Sequence, residues 1–310
     1  MRKQFIPFLV LASAVILAGS VGAQDQPTPV LPAPAPASTY ELKPGPDGRV
    51  PEEQVKELLR IVAEKDQQND KRRKDYTYIQ RRQEDQLDDK GNVKSTDVFT
   101  SEVLMIYGEQ VERLIAKNGQ PLSEKDAERE EKKIQKVIDK RKDESETDRN
   151  KRLAKEEKER EEDRSFVQEI ADAYNFQLAA SEQLEGRDTW VIDAEPRANY
   201  KPRLKDARIL SKFRLRLWID KAELQWSKLD ATCIDTVSFG LFLARVHKGT
   251  RVLVEQTQVN EEVWLPKHVA LKIDARVALL KKYNMNQDLT YSEYRKFRTD
   301  TKIVGVGEVK

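Results

Sequence analysis

The sequence predicts an α+β protein, mainly antiparallel β: a strongly curved open sheet, or half-barrel, with lid helices and a long charged helical insertion. Three observations predict it. Between residues 212 and 297 apolar and polar side chains alternate, with Phe213, Leu215, Leu217 and Ile219 on one side and Arg214, Arg216 and Trp218 on the other. That is the period of a strand with one buried face. The runs are joined by short turns such as Asp220-Lys221-Ala222-Glu223 and Asn260-Glu261-Glu262, and connections this local make neighbouring strands antiparallel. The whole chain yields about ten or eleven strands, more than a usual sheet holds, so the sheet must curve.

Composition narrows the function classes. Lys and Arg number 56 against 54 Asp and Glu in 310 residues, a net charge of +2, which gives no strong pull toward nucleic acid. One Cys allows no internal disulfide, and two His leave little for a metal site. No cofactor is implied.

In chain order, residues 1–23 read as a secretory signal: Arg2 and Lys3, an apolar run over 5–18, and the small-residue site Val21-Gly22-Ala23, with cleavage after Ala23. An uncleaved anchor is the alternative, although the run falls short of the roughly 20 residues a span needs. Ser20 stands where a lipoprotein signal would carry Cys, so a soluble exported protein without an N-terminal lipid is expected, with no transmembrane segment in the mature chain. Residues 24–49 are Pro-rich and read as an extended tether without specific contacts.

One domain is expected over 50–300. It opens with a helix after Pro51, with Glu52 and Glu53 in the first turn and Val55, Leu58, Leu59 and Val62 on one face. Strands follow over 76–87, 93–107 and 111–116, broken by Asp88-Asp89-Lys90-Gly91-Asn92, Gly108 and Asn118-Gly119. The insertion, 123–175, is the most charged part: 15 basic and 16 acidic residues lie within 124–164. Ser123 and Asp126 form a capping box, and the mixed charges suit a solvated helix, or two helices broken near 143–147, contributing little to the core. A hairpin about Glu185-Gly186 comes next, then an ambiguous 203–210, perceived as a loop with one helical turn. Strands over 212–219, 224–234, 250–259 and 263–273 complete the second meander, and 301–310 reads as a frayed C-terminus.

The order of signal, amphipathic helix, Tyr76-Thr77-Tyr78 strand, meander, helical interruption, Leu184-Glu185-Gly186-Arg187 hairpin, Leu217-Trp218-Ile219-Asp220 and Val263-Trp264-Leu265-Pro266 resembles the LolA/LppX/RseB superfamily of periplasmic proteins. The resemblance covers roughly 50–297. It implies an unclosed barrel with helices in its mouth and an apolar cavity that takes lipid or lipoprotein acyl chains, or, in the signalling branch, senses envelope stress through protein contacts. The insertion is long for a lid.

Candidate ligand-cavity residues are Phe213, Leu215, Leu217, Ile219, Leu265, Val269 and Leu271 on the strands, with Phe239, Leu241 and Phe242 in an apolar run over 237–244. Periodicity identifies the face but leaves two readings open, a lipid pocket or ordinary core. Catalytic readings lack support: Ser238 has no flanking glycine pair of a nucleophile elbow, His247 and His268 stand alone, Cys233 sits mid-strand, and Gly305-Val306-Gly307 lacks the third glycine of a dinucleotide site. The expectation is a non-enzymatic periplasmic binding protein or carrier for lipid or an acylated lipoprotein. The alternative is an envelope module that meets protein partners through the charged insertion.

Overall fold

The computed structural model describes residues 40–107, 109–204, 206–239, 244–277 and 281–296. The signal segment, the residues 301–310, Leu241 and Phe242 lie outside the described residues. Helix α1 spans Glu52–Arg73. Strands β1 (Tyr76–Leu87), β2 (Val93–Ile106), β3 (Glu109–Lys117) and β4 (Gln120–Pro121) form the first meander. Helices α2 (Glu124–Lys142) and α3 (Glu146–Ala173) make the insertion. The chain continues through β5 (Tyr174–Leu184), β6 (Arg187–Pro196), a 3-10 helix (Asp206–Lys212), β7 (Phe213–Asp220), β8 (Trp226–Cys233), β9 (Val237–Phe239), β10 (Ala244–Val246), β11 (Arg251–Val259), β12 (Val263–Val277) and β13 (Lys281–Lys296).

Among the described residues the thirteen strands belong to one open sheet, in the order β4-β3-β2-β1-β13-β12-β11-β8-β7-β6-β5, with the β9–β10 hairpin attached to β12. Every pairing is antiparallel, as the alternation and short turns predict, and the architecture is an α+β open half-barrel. The count exceeds the sequence expectation because β4, β9 and β10 are too short to show a period and β13 is strongly polar. Yet β13 is the strand that unites the fold. It pairs with β1 from Tyr76↔Lys296 to Gln86↔Met285 and with β12 from His268↔Thr290 to Val277↔Lys281, so the last strand joins the two meanders.

Curvature follows from contacts across the sheet. Strands β6 and β12 are four spacings apart, roughly 19 Å in a flat sheet. The Arg187 guanidinium of β6 nevertheless lies 5.1 Å from the Trp264 ring of β12 and donates to Gln258 at 3.0 Å. Only a strongly curled sheet brings those residues together.

Helix α1 forms where Pro51 sets the entry, acids occupy the first turn and Lys71, Arg72 and Arg73 complement the dipole in the last. Its buried residues Val55, Leu58 and Val62 join Phe213, Leu215, Ile219 and Val254 in one continuous core. A second cluster contains Tyr76, Val263 and Leu265, and a third Ile106, Val111 and Ile134.

Several local expectations change. Residues 40–49, assigned to the tether, are fastened: the Tyr40 hydroxyl donates to the Gln54 carbonyl (3.1 Å), its ring stands edge-on to Trp190, and Leu42 packs on the core. An aromatic ring with a polar tip can bury its body and still satisfy its hydroxyl, which proline counting overlooks. The strand expected from 224 begins at Trp226, because Leu224 adopts φ 52 in the turn that Asp220 caps. The insertion is two helices, started by Ser123 and Ser145, whose hydroxyls accept the amides of Asp126 and Asp148. It is not free of the core: Ile134, Val137 and Ile138 pack with Leu104, Ile106 and Val111, while Phe166 and Ala173 enter the main cluster. Leu104 and Ile106 alternate with core residue Val103, so α2 lies on the sheet face opposite α1.

Candidate ligand-binding face

Ladder register aligns the apolar residues into rows. Leu217 pairs with Leu229, Leu229 with Val254, Val254 with Val269, and Val269 with Leu289, a row across five strands. The adjacent row runs Leu215, Ala231, Val252 and Leu271. Because side chains alternate across a strand, both rows share one face, the face α1 crosses.

The helix is held at both ends. At its start Glu52 pairs with Arg197. Toward its end Asp66 accepts from Trp226 Nε1 at 3.0 Å, Arg73 donates to Gln256 at 2.6 Å, and Asn69 bonds both the amide and the carbonyl of Trp264 at 2.7 Å. The latter groups belong to a stretch of β12 beyond its pairing with β13; Asn69 supplies the partner of the amide there, and the carbonyl also accepts Arg73 Nε at 3.1 Å.

The predicted residues divide by environment. Phe213, Leu215, Ile219 and Val269 are buried beneath the helix. Leu217 and Leu271 are half-buried, as is Leu289, which the sequence reading did not single out. Leu265 departs from its companions. The register shifts by one residue between Glu255 and Gln256, so that Val254 faces Val269 but Thr257 faces Leu265. A bulge of this kind turns the following residues to the other face, and Leu265 packs with Tyr76 and Val263 instead. Phe239 pairs with Ala244 through its backbone; its side chain, with Leu241 and Phe242, lies outside the described residues.

Beyond Leu289 the row becomes polar: Leu289 pairs with Arg82, Arg82 with Phe99, and Phe99 with Lys117. Arg82 and Lys117 lie over the Phe99 ring at 5.0 and 5.3 Å. The face therefore grades from aliphatic under α1 to a cation-flanked aromatic on β1–β3. At the β1–β13 junction Tyr78 meets Tyr291 and Tyr294 with centroids 5.7 and 5.4 Å away. Burial pushes the Tyr78 hydroxyl up to about 12, keeping it neutral.

Three motifs that carry the family resemblance converge at one end of the barrel. Asp220, almost fully buried, accepts Arg187 Nε and Nη2 at 2.5 and 3.2 Å and the Glu223 amide at 2.8 Å, while Arg187 stacks on Trp264. These residues clamp the curl. Elsewhere, a pocket of about 500 Å³ lies between the end of α3, β5 and the 197–203 segment. Its buried Glu169 accepts the Leu204 amide at 3.0 Å and Arg203 Nε at 3.1 Å. Burial raises that carboxyl, but the backbone amides and guanidinium outweigh it and hold it below its usual range. The pocket is polar and separate from the apolar rows.

No group of His, Cys, Asp and Glu suited to a metal occurs among the described residues, and no described helix is long and apolar enough to cross a membrane. No protein-family model and no curated protein matches the chain. Solved structures do resemble it. A putative outer membrane lipoprotein-sorting protein domain from Vibrio parahaemolyticus is 12% identical over 79% of this chain and 95% of its own, with a TM-score of 0.32. A DUF1329 family protein from Desulfovibrio piger is 9% identical over 82% and 95%, at 0.29. A LolA superfamily protein from Nitrosomonas europaea is 10% identical over 74% and 89%, at 0.28.

Proposed function

We propose that this protein is an exported, periplasmic carrier or binding protein that holds a lipid, or the acyl chain of a lipoprotein, against the inner face of its half-barrel, without catalysis. The observation that carries this reading is the continuous aliphatic row from Leu178 through Ile192 and Leu217 to Leu289, half-buried at both ends and covered by one helix. The signal-like residues 1–23 support export, and the sequence resemblance supports the carrier role.

The energetics are commensurate. Lifting α1 exposes Val55, Leu58 and Val62, a loss of about 6 kcal/mol at roughly 2 kcal/mol per side chain. An acyl chain recovers about 0.8 kcal/mol per buried methylene. About eight methylenes balance the displacement, and any ordinary fatty acyl chain has more. The test is native mass spectrometry of protein purified from an envelope fraction, with organic extraction of whatever it carries. A discrete added mass that extracts as one lipid class, and is lost in Leu217→Asp with the circular dichroism unchanged, is expected. A bare polypeptide mass that stays bare after incubation with envelope lipids refutes the reading.

The second reading, a partner-binding module, draws on the highly charged first two thirds of α3, where Lys151, Lys158 and Glu162 keep two thirds or more of their side chains in solvent. Reversing those charges leaves lipid retention intact under the carrier reading.

A further inference from the structure

On the inner face of β1–β3, charges of like sign stand together. Arg82 and Lys117 flank Phe99 on the neighbouring strands, their cationic groups 5.0 and 5.3 Å from its ring centroid. The next row along the strands carries Leu271, Gln287, Glu84 and Asp97, each opposite the one before. Two cations thus share one aromatic ring, and two carboxylates face each other across a ladder. Like charges in directly opposed positions destabilise a sheet. Interleaving the four signs would avoid that cost, so folding alone does not account for the arrangement.

The cations also lack acceptors. Arg82 Nε is enclosed and has no hydrogen-bond partner; the Glu84 carboxylate, 3.2 Å away, is a charge neighbour without hydrogen-bond geometry. Lys117 Nζ stands 3.6 Å from Asp97, beyond hydrogen-bond reach. The carboxylates in turn meet neutral amides: Glu84 accepts Gln287 Nε2 at 3.0 Å, and Asp97 accepts Asn118 Nδ2 at 3.4 Å. All four side chains keep a quarter to a half of their area in solvent, so a ligand can reach them. Position ties the cluster to the apolar row. Arg82 is opposite Leu289, the last aliphatic member, one strand spacing or roughly 5 Å away. A hydrocarbon chain lying on Val269 and Leu289 therefore delivers its polar end over Phe99.

We propose that Arg82, Lys117, Glu84 and Asp97 receive the headgroup of a zwitterionic phospholipid, its phosphate on the two cations and its primary ammonium on the two carboxylates. This rests on the carrier reading and names the ligand class for it. Phosphate oxygens supply the acceptors that Arg82 Nε and Lys117 Nζ lack. The ammonium brings three donors to the acid row and separates its two negative charges. Two positive and two negative side chains match a headgroup of no net charge. A purely anionic headgroup would serve the cations but add charge beside Glu84 and Asp97, and a glyceride without phosphate would serve neither row.

Competition among lipids tests it. Lipid-stripped protein is incubated with detergent micelles holding equal amounts of phosphatidylethanolamine, phosphatidylglycerol and diacylglycerol with identical acyl chains, and native mass spectrometry reads the bound fractions. Phosphatidylethanolamine should be retained at least tenfold over either competitor. Arg82→Gln with Lys117→Gln should lower it to the diacylglycerol level while diacylglycerol retention and the circular dichroism stay unchanged. Glu84→Gln with Asp97→Asn should instead abolish the preference over phosphatidylglycerol. Equal retention of the three lipids, a preference for phosphatidylglycerol, or a phosphatidylethanolamine preference that survives loss of both cations overturns the headgroup site and leaves the carrier reading standing. Retention of none of the three refutes the carrier reading, and the headgroup site with it.

Discussion

The clamp formed by Arg187 and Asp220 gives the most direct handle on what bends the sheet. Arg187→Met keeps an apolar stem over Trp264 and removes the guanidinium. The Asp220 carboxylate, 2% exposed, is left with the Glu223 amide as its remaining donor at 2.8 Å. Breaking a fully buried pair costs about 3–5 kcal/mol. Arg187 is itself 37% exposed, so part of that interaction is already screened, and we expect a loss of about 2–3 kcal/mol, including up to about 1 from the cation–π contact. Asp220→Asn removes the charge but can still accept the Glu223 amide, and should cost about 1 kcal/mol. If the buried charge drives the effect, adding Arg187→Met to Asp220→Asn costs at least about 1 kcal/mol less than in the parent, a coupling that urea denaturation in a double-mutant cycle resolves. Additive losses, or a loss under about 1 kcal/mol for Arg187→Met alone, would show that the pair does not hold the curl.

Three further outcomes follow from named contacts. His268 lies on the outer face with its ring nitrogens 3.1 and 2.7 Å from Glu255 and Asp288; burial disfavours its proton, but the two carboxylates outweigh burial and raise its pKa above the ordinary value. The folded state thus binds that proton more tightly than the unfolded chain, so the contribution is complete below about pH 6.5 and disappears as pH rises through the higher folded value; urea midpoints should fall across this range, and His268→Gln should flatten the fall. Asn69→Ala leaves the Trp264 amide without its partner and the carbonyl with Arg73 Nε at 3.1 Å as its donor, and should cost about 1–3 kcal/mol in urea denaturation, whereas Asn69→Asp, which keeps an acceptor for the amide, should recover part of it. Ser123→Ala removes the cap of α2 and should cost about 1 kcal/mol, read as faster exchange of the first-turn amides of α2 with α3 unaffected.

What the sequence made legible was decided by how strongly each strand alternates. In β7 Phe213 and Leu215 face in and Arg214 and Arg216 out, and the burial follows that pattern. The bounds of β1 are legible because Tyr76 opens it and Asp88 supplies a turn, its side chain accepting the amides of Lys90 and Asn92. Strand β13 escaped because Lys, Asn, Gln, Asp and Ser dominate it, although Tyr283, Met285, Leu289 and Tyr291 alternate in it. Leu265 shows a different limit. Alternation counted from Val269 places it on the inner face, and only the register shift, a property of two paired strands, turns it away. The insertion's charge predicts one or two solvated helices, yet three apolar residues on one turn-and-a-half of α2 suffice to pack it onto β2 and β3. Cross-strand neighbours such as Arg187 and Trp264 are separated by most of the second meander, and no local pattern could pair them.

If a lipid displaces α1, the two ends of the helix should not yield together. At the start the ion pair of Glu52 with Arg197 leaves about a third of each side chain in solvent, 31% and 34%. Exposed pairs of this kind contribute about 0–1 kcal/mol. At the other end Asn69 is 5% exposed and makes two hydrogen bonds to Trp264, joined by Asp66 with Trp226 and Arg73 with Gln256. Leaving such buried groups unpaired costs about 1–3 kcal/mol each. The helix should therefore lift from Glu52 and pivot near Asn69, opening the row at Leu217 while the β12 backbone stays capped. Hydrogen exchange with and without bound lipid distinguishes the ends: amides between Val55 and Arg60 should change protection on loading, and those between Asp70 and Arg73 should not. A larger change at the Asn69 end would contradict the hinge and place the entrance at the opposite rim.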